Sequence, residues 1–99
     1  MAITEVFRWK GNPEVAAQLM KQAAPIYKKH GAVALRLSIC RYGAYTGQIF
    51  TVATYPDWAT FGRTNQGIST DPDMVTVRSE IARSDVELQE RAVMVTEEF

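Results

Sequence analysis

The stretch "QIFTVATYPDWATF", Gln48 to Phe61, joins a predicted strand to the start of a predicted helix. The strand, Gln48 to Tyr55, is rich in β-branched and aromatic residues, and Asp57 is a suitable N-cap for the helix. The apolar side chains of the strand are divided between its two faces: Phe50 and Val52 on one, Ile49, Ala53 and Tyr55 on the other. A strand with two apolar faces must be covered on both sides, and this requirement directs the fold prediction.

The residues before this stretch predict a strand, a helix and another strand. Ala2 to Lys10 is rich in β-formers and is bounded by "GNP". Asn12 is a good N-cap, and an apolar helical stripe follows it: Val15, Leu19, Ala23, Ile26 and Tyr27. Pro25 is expected to kink this helix or loosen its last turns, and Gly31 is expected to end it. Ala32 to Tyr42 then alternates as a half-buried strand.

The residues after the opening stretch predict an interrupted helical region and a last strand. Gly62 and Gly67 weaken the helix, so a break is expected between Gly67 and Thr70. In "DPDM", Asp71 caps a new helix whose first residue is proline. Val86 to Thr96 is predicted as the final strand. The order β-α-β-β-α-β predicts a ferredoxin-like α+β fold, with a four-stranded antiparallel sheet and helices on one face.

The second face of the predicted sheet has no cover within this chain. Helices on one face leave the apolar residues of the opposite face exposed, and an apolar patch of that size is unfavourable in water. A second copy packing sheet against sheet is the simplest cover, so we expect a two-fold homodimer.

Composition limits the classes of function. The 99 residues predict one domain over 1–99, and 11 basic and 11 acidic side chains cancel. A neutral chain with no basic run is not expected to bind nucleic acid or an anionic membrane surface. One cysteine and one histidine make a metal site unexpected. The start "MAITEVFRWK" does not resemble a signal peptide, so the expected location is the cytoplasm.

The junction "YPDWATF", the restart "TDPDMVTV" and the order of elements over about one hundred residues resemble the dimeric α+β barrel superfamily. The similarity is to its antibiotic-biosynthesis monooxygenase, NIPSNAP and stress-responsive groups. It implies a homodimer with a cleft in each subunit between sheet and helices. Members include cofactor-independent oxygenases of polycyclic phenols, haem-degrading enzymes and polyketide cyclases. Thr64 stands where many members have a histidine, which the haem-degrading and cyclase chemistries need.

The resemblance implies a ligand site built from aromatic and polar side chains. The oxygenase members use asparagine, tryptophan and tyrosine around the substrate. Such groups could come here from Asn65, Trp58, Trp9, Tyr42 and Tyr45. The candidate ligand-binding residues are Trp58, Phe61, Arg63, Asn65, Tyr42 and Trp9. Trp58 and Phe61 would hold an aromatic ring, while Arg63 and Asn65 would polarise an oxygen. The alternatives are that Trp58 packs over the sheet edge or dimer rim, and that Arg63 and Asn65 are exposed positions near a helix end.

Three other residues have structural interpretations. His30 is predicted to cap a helix C-terminus, and Cys40 to be a small buried filler in a strand. Arg36, if its face is buried, needs a carboxylate partner such as Glu5 or Glu90.

Three functions remain open. The first is a cofactor-independent, monooxygenase-like enzyme acting on an aromatic or polyketide-like compound, with no metal or organic cofactor. The second is a non-catalytic ligand-binding or stress-related barrel, and the third is a structural dimerisation module.

Overall fold

The computed structural model describes residues 1–99, which form four strands and three helices. The strands are β1 (Ala2–Lys10), β2 (Ala34–Ile39), β3 (Ile49–Tyr55) and β4 (Glu87–Thr96). The helices are α1 (Pro13–Lys29), α2 (Trp58–Thr70) and α3 (Pro72–Arg83). The order β-α-β-β-α-α-β confirms the ferredoxin-like α+β fold, with the second helical region divided into two helices. No helix has the length and apolar character needed to cross a bilayer.

The caps and the internal proline explain the helix boundaries. Asn12 Oδ1 accepts from the backbone N–H groups of Glu14 and Val15, at 2.9 and 3.2 Å. Asp57 Oδ1 accepts from the N–H of Thr60 at 2.7 Å, as the sequence predicted. Pro25 lies inside α1, yet the helix continues to Lys29. Gly31 then turns the chain with a φ of +120°, which a side chain would strain.

The sheet is antiparallel throughout, with strand order β2-β3-β1-β4. Alternate residues of β1 and β3 face the helices and are buried, among them Ile3, Glu5 and Trp9. The pairing of β1 with β4 shifts between Arg8 and Trp9, so that Arg8 lies opposite Glu90 but Trp9 lies opposite Leu88. This irregularity brings Leu88 to the helix side of the sheet, the side on which Arg91 already lies opposite Phe7.

The helices cover three strands of the sheet and leave β4 uncovered. One apolar cluster surrounds Trp9 and Leu19, a second lies among the three helices at Ile26, Ile68 and Met74, and a third surrounds Tyr55. On β4, by contrast, Val93 and Val95 are exposed although they lie on the helix side. The apolar core therefore extends only as far as β1, and no helix covers the helix-side surface of β4.

The other face of the sheet is open, as its two-faced apolar pattern predicted. Phe50 and Val52 of β3 are half-buried, and Met94 of β4 is 48% exposed. Arg36 lies exposed on this open face, so the burial that would require an ion pair with Glu5 or Glu90 is absent within this chain. Glu5 points to the opposite side of the sheet, and the carboxylate of Glu90 lies 3.9 Å from Arg8 instead.

Candidate functional site

A cavity of about 420 Å³ lies between the helix side of the sheet and all three helices. Most of its wall is apolar, so the space suits a hydrophobic molecule. The apolar lining comprises Phe7, Trp9, Met20, Ala23, Tyr27, Leu35, Ile68, Met74, Val77, Ile81 and Leu88. The polar lining comprises Glu5, Thr51, Asn65, Arg78 and Arg91.

Trp9 forms part of the apolar wall with its polar atom already satisfied. Its indole Nε1 donates to Thr51 Oγ1 at 3.0 Å, and its ring stacks against Phe7 with centroids 6.0 Å apart. A satisfied indole N–H leaves the ring surface as the group that Trp9 offers to a ligand.

Glu5 is the centre of the polar region. Its carboxylate is fully buried, and a buried carboxylate must be paired and hydrogen-bonded to be tolerated. The Tyr55 hydroxyl donates to Oε1 at 2.8 Å, and Arg91 Nε donates to Oε2 at 2.7 Å. Arg91 also pairs with Oε2 through its NH2 group. Both oxygens of Glu5 are therefore occupied, and the carboxylate holds Arg91 in place in the cavity wall.

The two tyrosines near Glu5 remain protonated at neutral pH. Burial, reinforced by the negative charge of Glu5, raises the pKa of Tyr27 to about 12. Burial is also the main cause that raises the pKa of Tyr55 above its ordinary value, followed by its hydrogen bond to Glu5. The side chain of Asn65 partly offsets the rise at Tyr55. The polar region thus presents O–H and N–H donors to the cavity and no free base.

The mouth of the cavity lies between α3 and β4. Of the lining residues only Arg78, Leu88 and Arg91 are exposed to solvent. The register shift in β4 places Leu88 and Arg91 on the same side of the sheet, although they are three residues apart. A single irregularity in strand pairing therefore builds one side of the entrance.

The six residues that the sequence suggested are divided by the structure. Trp9 and Asn65 line the cavity, and Asn65 Nδ2 also donates to the carbonyl of Phe61 at 3.0 Å. The other four lie outside it. Phe61 packs edge-on against Tyr55, and Trp58 packs edge-on against Phe61 and is 49% exposed. Arg63 is exposed and donates to Thr60, and Tyr42 is 94% exposed in the hairpin.

Sequence reasoning did not propose Tyr27, Arg78 or Arg91 for the site, and it considered Glu5 only as a partner for Arg36. For Glu5 a signal exists, because Ile3, Phe7 and Trp9 share its face of β1 and are apolar. A charged residue in such a row is a candidate for a buried functional group. Arg91 has no comparable signal, because its position depends on the register shift between β1 and β4.

His30 belongs to a second polar cluster, which we call the corner cluster: Lys29, His30, Thr64, Gly67 and Asp71. The side chain of Asp71 is buried between α2 and α3. Its carboxylate accepts hydrogen bonds from His30 Nε2 at 2.7 Å and from Lys29 Nζ at 3.0 Å. The hydrogen bond with His30, then that with Lys29, lowers the pKa of Asp71. Thr64 occupies the position at which many members of the resembling family have histidine. Its Oγ1 donates to the backbone carbonyl of His30 at 2.7 Å.

The corner cluster also explains why α2 contains Gly67. A Cβ at that position would lie 2.3 Å from Nδ1 of His30, so only glycine lets the imidazole pack against the helix. The helix passes through Gly67 and ends at Thr70, the last residue of the interval in which a break was predicted. None of the five residues lines the cavity.

Cys40 lies outside the strand in which the sequence predicted it to be a small buried filler. It follows the end of β2 at Ile39, is half-buried, and its Sγ donates to the carbonyl of Tyr42 at 3.4 Å. No three residues of histidine, cysteine, aspartate or glutamate come together in a way that could hold a metal ion.

Solved structures share this fold across nearly their whole length. SnoaB, a cofactor-independent oxygenase from Streptomyces nogalater, is 16% identical with a TM-score of 0.68, covering 99% of this chain and 95% of that one. An uncharacterized NIPSNAP domain protein from Burkholderia xenovorans is 14% identical with a TM-score of 0.70, covering 98% and 96%. A proposed antibiotic biosynthesis monooxygenase from Deinococcus radiodurans is 13% identical with a TM-score of 0.60, covering 100% and 95%.

These similarities show that the chain shares the fold of these solved proteins, the fold that the sequence resemblance implied. A scan against protein-family models and a search of curated proteins found no match.

Proposed function

We propose that this protein binds a small aromatic or polyketide-like compound in the cavity between its sheet and its helices. The observation that carries the proposal is the cavity itself, about 420 Å³ with a mostly apolar wall and a cluster of polar groups. This volume falls within the range of roughly 300–1,000 Å³ that is typical of small-molecule pockets. Trp9 would lie against the ring system, and Asn65 would contact one of its oxygens.

An enzymatic role of the cofactor-independent monooxygenase type is the first form of this proposal. In such a reaction a substrate methylene loses its hydrogens to become a ketone, one atom of O₂ enters the product, and the other leaves as water. The donors near Glu5, namely Asn65, Tyr27 and Arg91, would stabilise the oxyanion of the deprotonated substrate. The fold shared with SnoaB, a cofactor-independent oxygenase, supports this form.

A non-catalytic ligand-binding role is the second form, and one observation favours it. Both oxygens of Glu5 are engaged by Tyr55 and Arg91, and the raised pKa of Tyr27 keeps its hydroxyl protonated. The cavity therefore offers no free general base, and deprotonation would depend on the substrate's own acidity. An open cavity of this size argues against a purely structural dimerisation module.

The open face of the sheet supports the accompanying proposal of a homodimer. Phe50 and Val52 are only partly covered, and Met94 is close to half exposed. A second copy placing the same face against this one would bury these side chains on both partners.

The four predicted residues outside the cavity (Trp58, Phe61, Arg63 and Tyr42) would contact a ligand only if it extended beyond the cavity.

Filling the cavity tests the binding proposal. A panel of hydroxylated naphthalenes and anthracenes should raise the melting temperature of the wild-type protein, because a ligand stabilises the state that binds it. Ala23→Phe places a ring in the space, since Ala23 is buried and lines the cavity. This variant should lose the ligand-induced shift. Ala82→Phe is the matched control on an exposed position outside the cavity and should keep it. An unchanged shift in Ala23→Phe would refute the site.

Oxygen uptake separates the two forms of the proposal. A monooxygenase should consume about one O₂ per molecule of a reduced polycyclic phenol, with one labelled oxygen atom entering the product. Asn65→Ala should slow that reaction more than it weakens substrate binding, because stabilisation of developing charge acts on the transition state. Binding of the phenol with no oxygen uptake above the uncatalysed rate would assign the protein to the non-catalytic form.

A further inference from the structure

Three charged side chains line the cavity, Glu5, Arg78 and Arg91, and their charges do not cancel. Glu5 and Arg91 neutralise each other through two contacts from the guanidinium to one carboxylate oxygen. Arg78 has no carboxylate within 4.0 Å and makes no hydrogen bond to another side chain. The cavity therefore carries one uncompensated positive charge, and that charge stands at its mouth.

Arg78 is built into the cavity wall and is not an incidental surface cation. On α3, Met74, Val77, Arg78 and Ile81 all line the cavity, and their spacing of i, i+3, i+4 and i+7 is one helical stripe. The apolar members of this stripe point to the interior, so Arg78 extends over the same surface towards solvent. Its charge also lowers the pKa of Tyr27 against the larger effect of burial, which indicates that the guanidinium is near that hydroxyl.

From this arrangement we infer that the cavity takes an apolar ligand bearing one acidic group, a carboxylate or a phenolate, and that Arg78 is the residue that selects it. The inference rests on the proposed function, because it names the chemical class of the compound in the same cavity. The rings would occupy the apolar interior, and the acidic group would remain at the mouth between α3 and β4.

The physical basis is a difference between charged and neutral ligands. A guanidinium beside a low-dielectric cavity forms charge-assisted, often paired hydrogen bonds with a carboxylate. The neutral ester of the same ring system offers only an uncharged acceptor and gains little from Arg78. Arg91 adds donors at the same entrance, but its charge is already balanced by Glu5. Selection between the two ligands should therefore depend on Arg78 in particular.

A matched pair of probes tests the inference by isothermal titration calorimetry. The probes are 2-naphthoate and its neutral methyl ester, which share the ring system. Wild-type protein should bind the carboxylate more tightly. Arg78→Gln should weaken binding of the carboxylate about tenfold and leave that of the ester unchanged. Arg78→Lys, which keeps the charge but not the planar fork, should restore part of the loss.

Arg83→Gln is the control, because Arg83 is an exposed arginine on the same helix and lies outside the cavity. This variant should bind both probes as the wild type does. In the wild type, added salt should weaken only the carboxylate complex. Equal affinity of the wild type for both probes, or equal loss of both in Arg78→Gln, would overturn the role of Arg78 and leave the binding proposal intact. Failure of both probes to bind the wild type would contradict the proposed function itself and this inference with it.

Discussion

Two carboxylates are buried in this molecule, and their surroundings are opposite. Asp71 lies in the corner cluster, where two side chains and the backbone N–H of Asp73 donate to it, and it does not line the cavity. Glu5 is paired as completely, by Tyr55 and Arg91, but Glu5 and Arg91 both line a large cavity. Asp71 caps α3 and joins it to the end of α1, so its role is architectural.

The contrast indicates what Glu5 is for. A buried ion pair contributes little net stability compared with apolar residues of the same shape, because desolvation offsets the attraction. At the corner, the carboxylate has a second role as an N-cap, which an apolar side chain could not perform. Glu5 caps no helix, and its contacts instead hold Arg91 in the wall of an unfilled volume. The comparison predicts that corner substitutions alter stability while cavity substitutions alter binding.

The largest expected effect is on stability at the corner. Gly67→Val places side-chain atoms where the His30 ring lies and should reduce the free energy of unfolding by roughly 2–3 kcal/mol. Gly62→Val is the matched control, because a Cβ at Gly62 meets nothing within 4 Å. Chemical denaturation should show the loss in the first variant only. Comparable losses in both would mean that helix propensity, and not the contact with His30, decides the cost.

A smaller effect on stability, with a clear effect on binding, is expected at the cavity. Glu5→Gln keeps the size of the side chain but removes the charge that holds Arg91, and should cost about 1–2 kcal/mol of stability. Because Arg91 in the cavity wall loses its fixed position, affinity for the aromatic probe should fall about tenfold. Glu90→Gln, an exposed carboxylate on β4, serves as the control. Unchanged affinity in Glu5→Gln would remove the functional half of the comparison.

The two regions should also respond to opposite extremes of pH, beginning with acid at the corner. The pKa of Asp71 is lowered in the folded state, chiefly by His30 and then by Lys29. Its stabilising contribution is present above the ordinary aspartate pKa of about 3.9 and is lost as pH falls toward the lower folded-state pKa. Asp71→Asn should therefore flatten the decline of stability below about pH 4. An equally steep decline in that variant would assign acid sensitivity to other groups.

Alkaline sensitivity is expected at the cavity. Because the pKa of Tyr27 is raised to about 12, the fold favours its protonated form. The resulting stabilisation is complete below pH 10 and is lost as the pH rises from 10 toward 12. Spectrophotometric titration of the tyrosinates should show one transition near pH 12 that is absent in Tyr27→Phe. A wild-type spectrum in which every tyrosine titrates near pH 10 would contradict the buried environment of this residue.

The smallest effect on the fold, and the clearest on assembly, is expected on the open face of the sheet. Val52→Lys adds a charge at the centre of that face without entering the core. If a second copy covers this face, light scattering should show a dimer for the wild type and a monomer for the variant. Arg36→Glu, farther toward the sheet edge on β2, should perturb the equilibrium less. A monomeric wild type would refute the proposed dimer while leaving the cavity unaffected.

Local signals in the sequence were sufficient for most of the fold. β1 has the predicted limits, and the caps at Asn12, Asp57 and Asp71 are where the sequence placed them. These features depend on residues that are neighbours in the chain, so pattern and capping rules apply directly. For Arg36 the sequence left the answer conditional, because the strand pattern does not tell which face the helices cover.

The site was less accessible from sequence, because it depends on long-range pairing. Asn65 and Trp9 line the cavity, but Trp58, which follows the cap Asp57, lies outside it. Arg91 enters the site because β4 pairs with β1 after a register shift, and Arg78 enters it because α3 faces that strand across the mouth. Neither relation has a signature within either segment alone.

The most direct test of the central claim is a comparison of the two regions in one NMR titration with 2-naphthoate. If the cavity is the binding site, the amide resonances of Tyr27, Asn65 and Arg78 should shift with a common affinity, while those of His30, Thr64 and Asp73 remain unchanged. Shifts confined to the corner cluster or to the open face of the sheet, with the cavity resonances unmoved, would contradict the account.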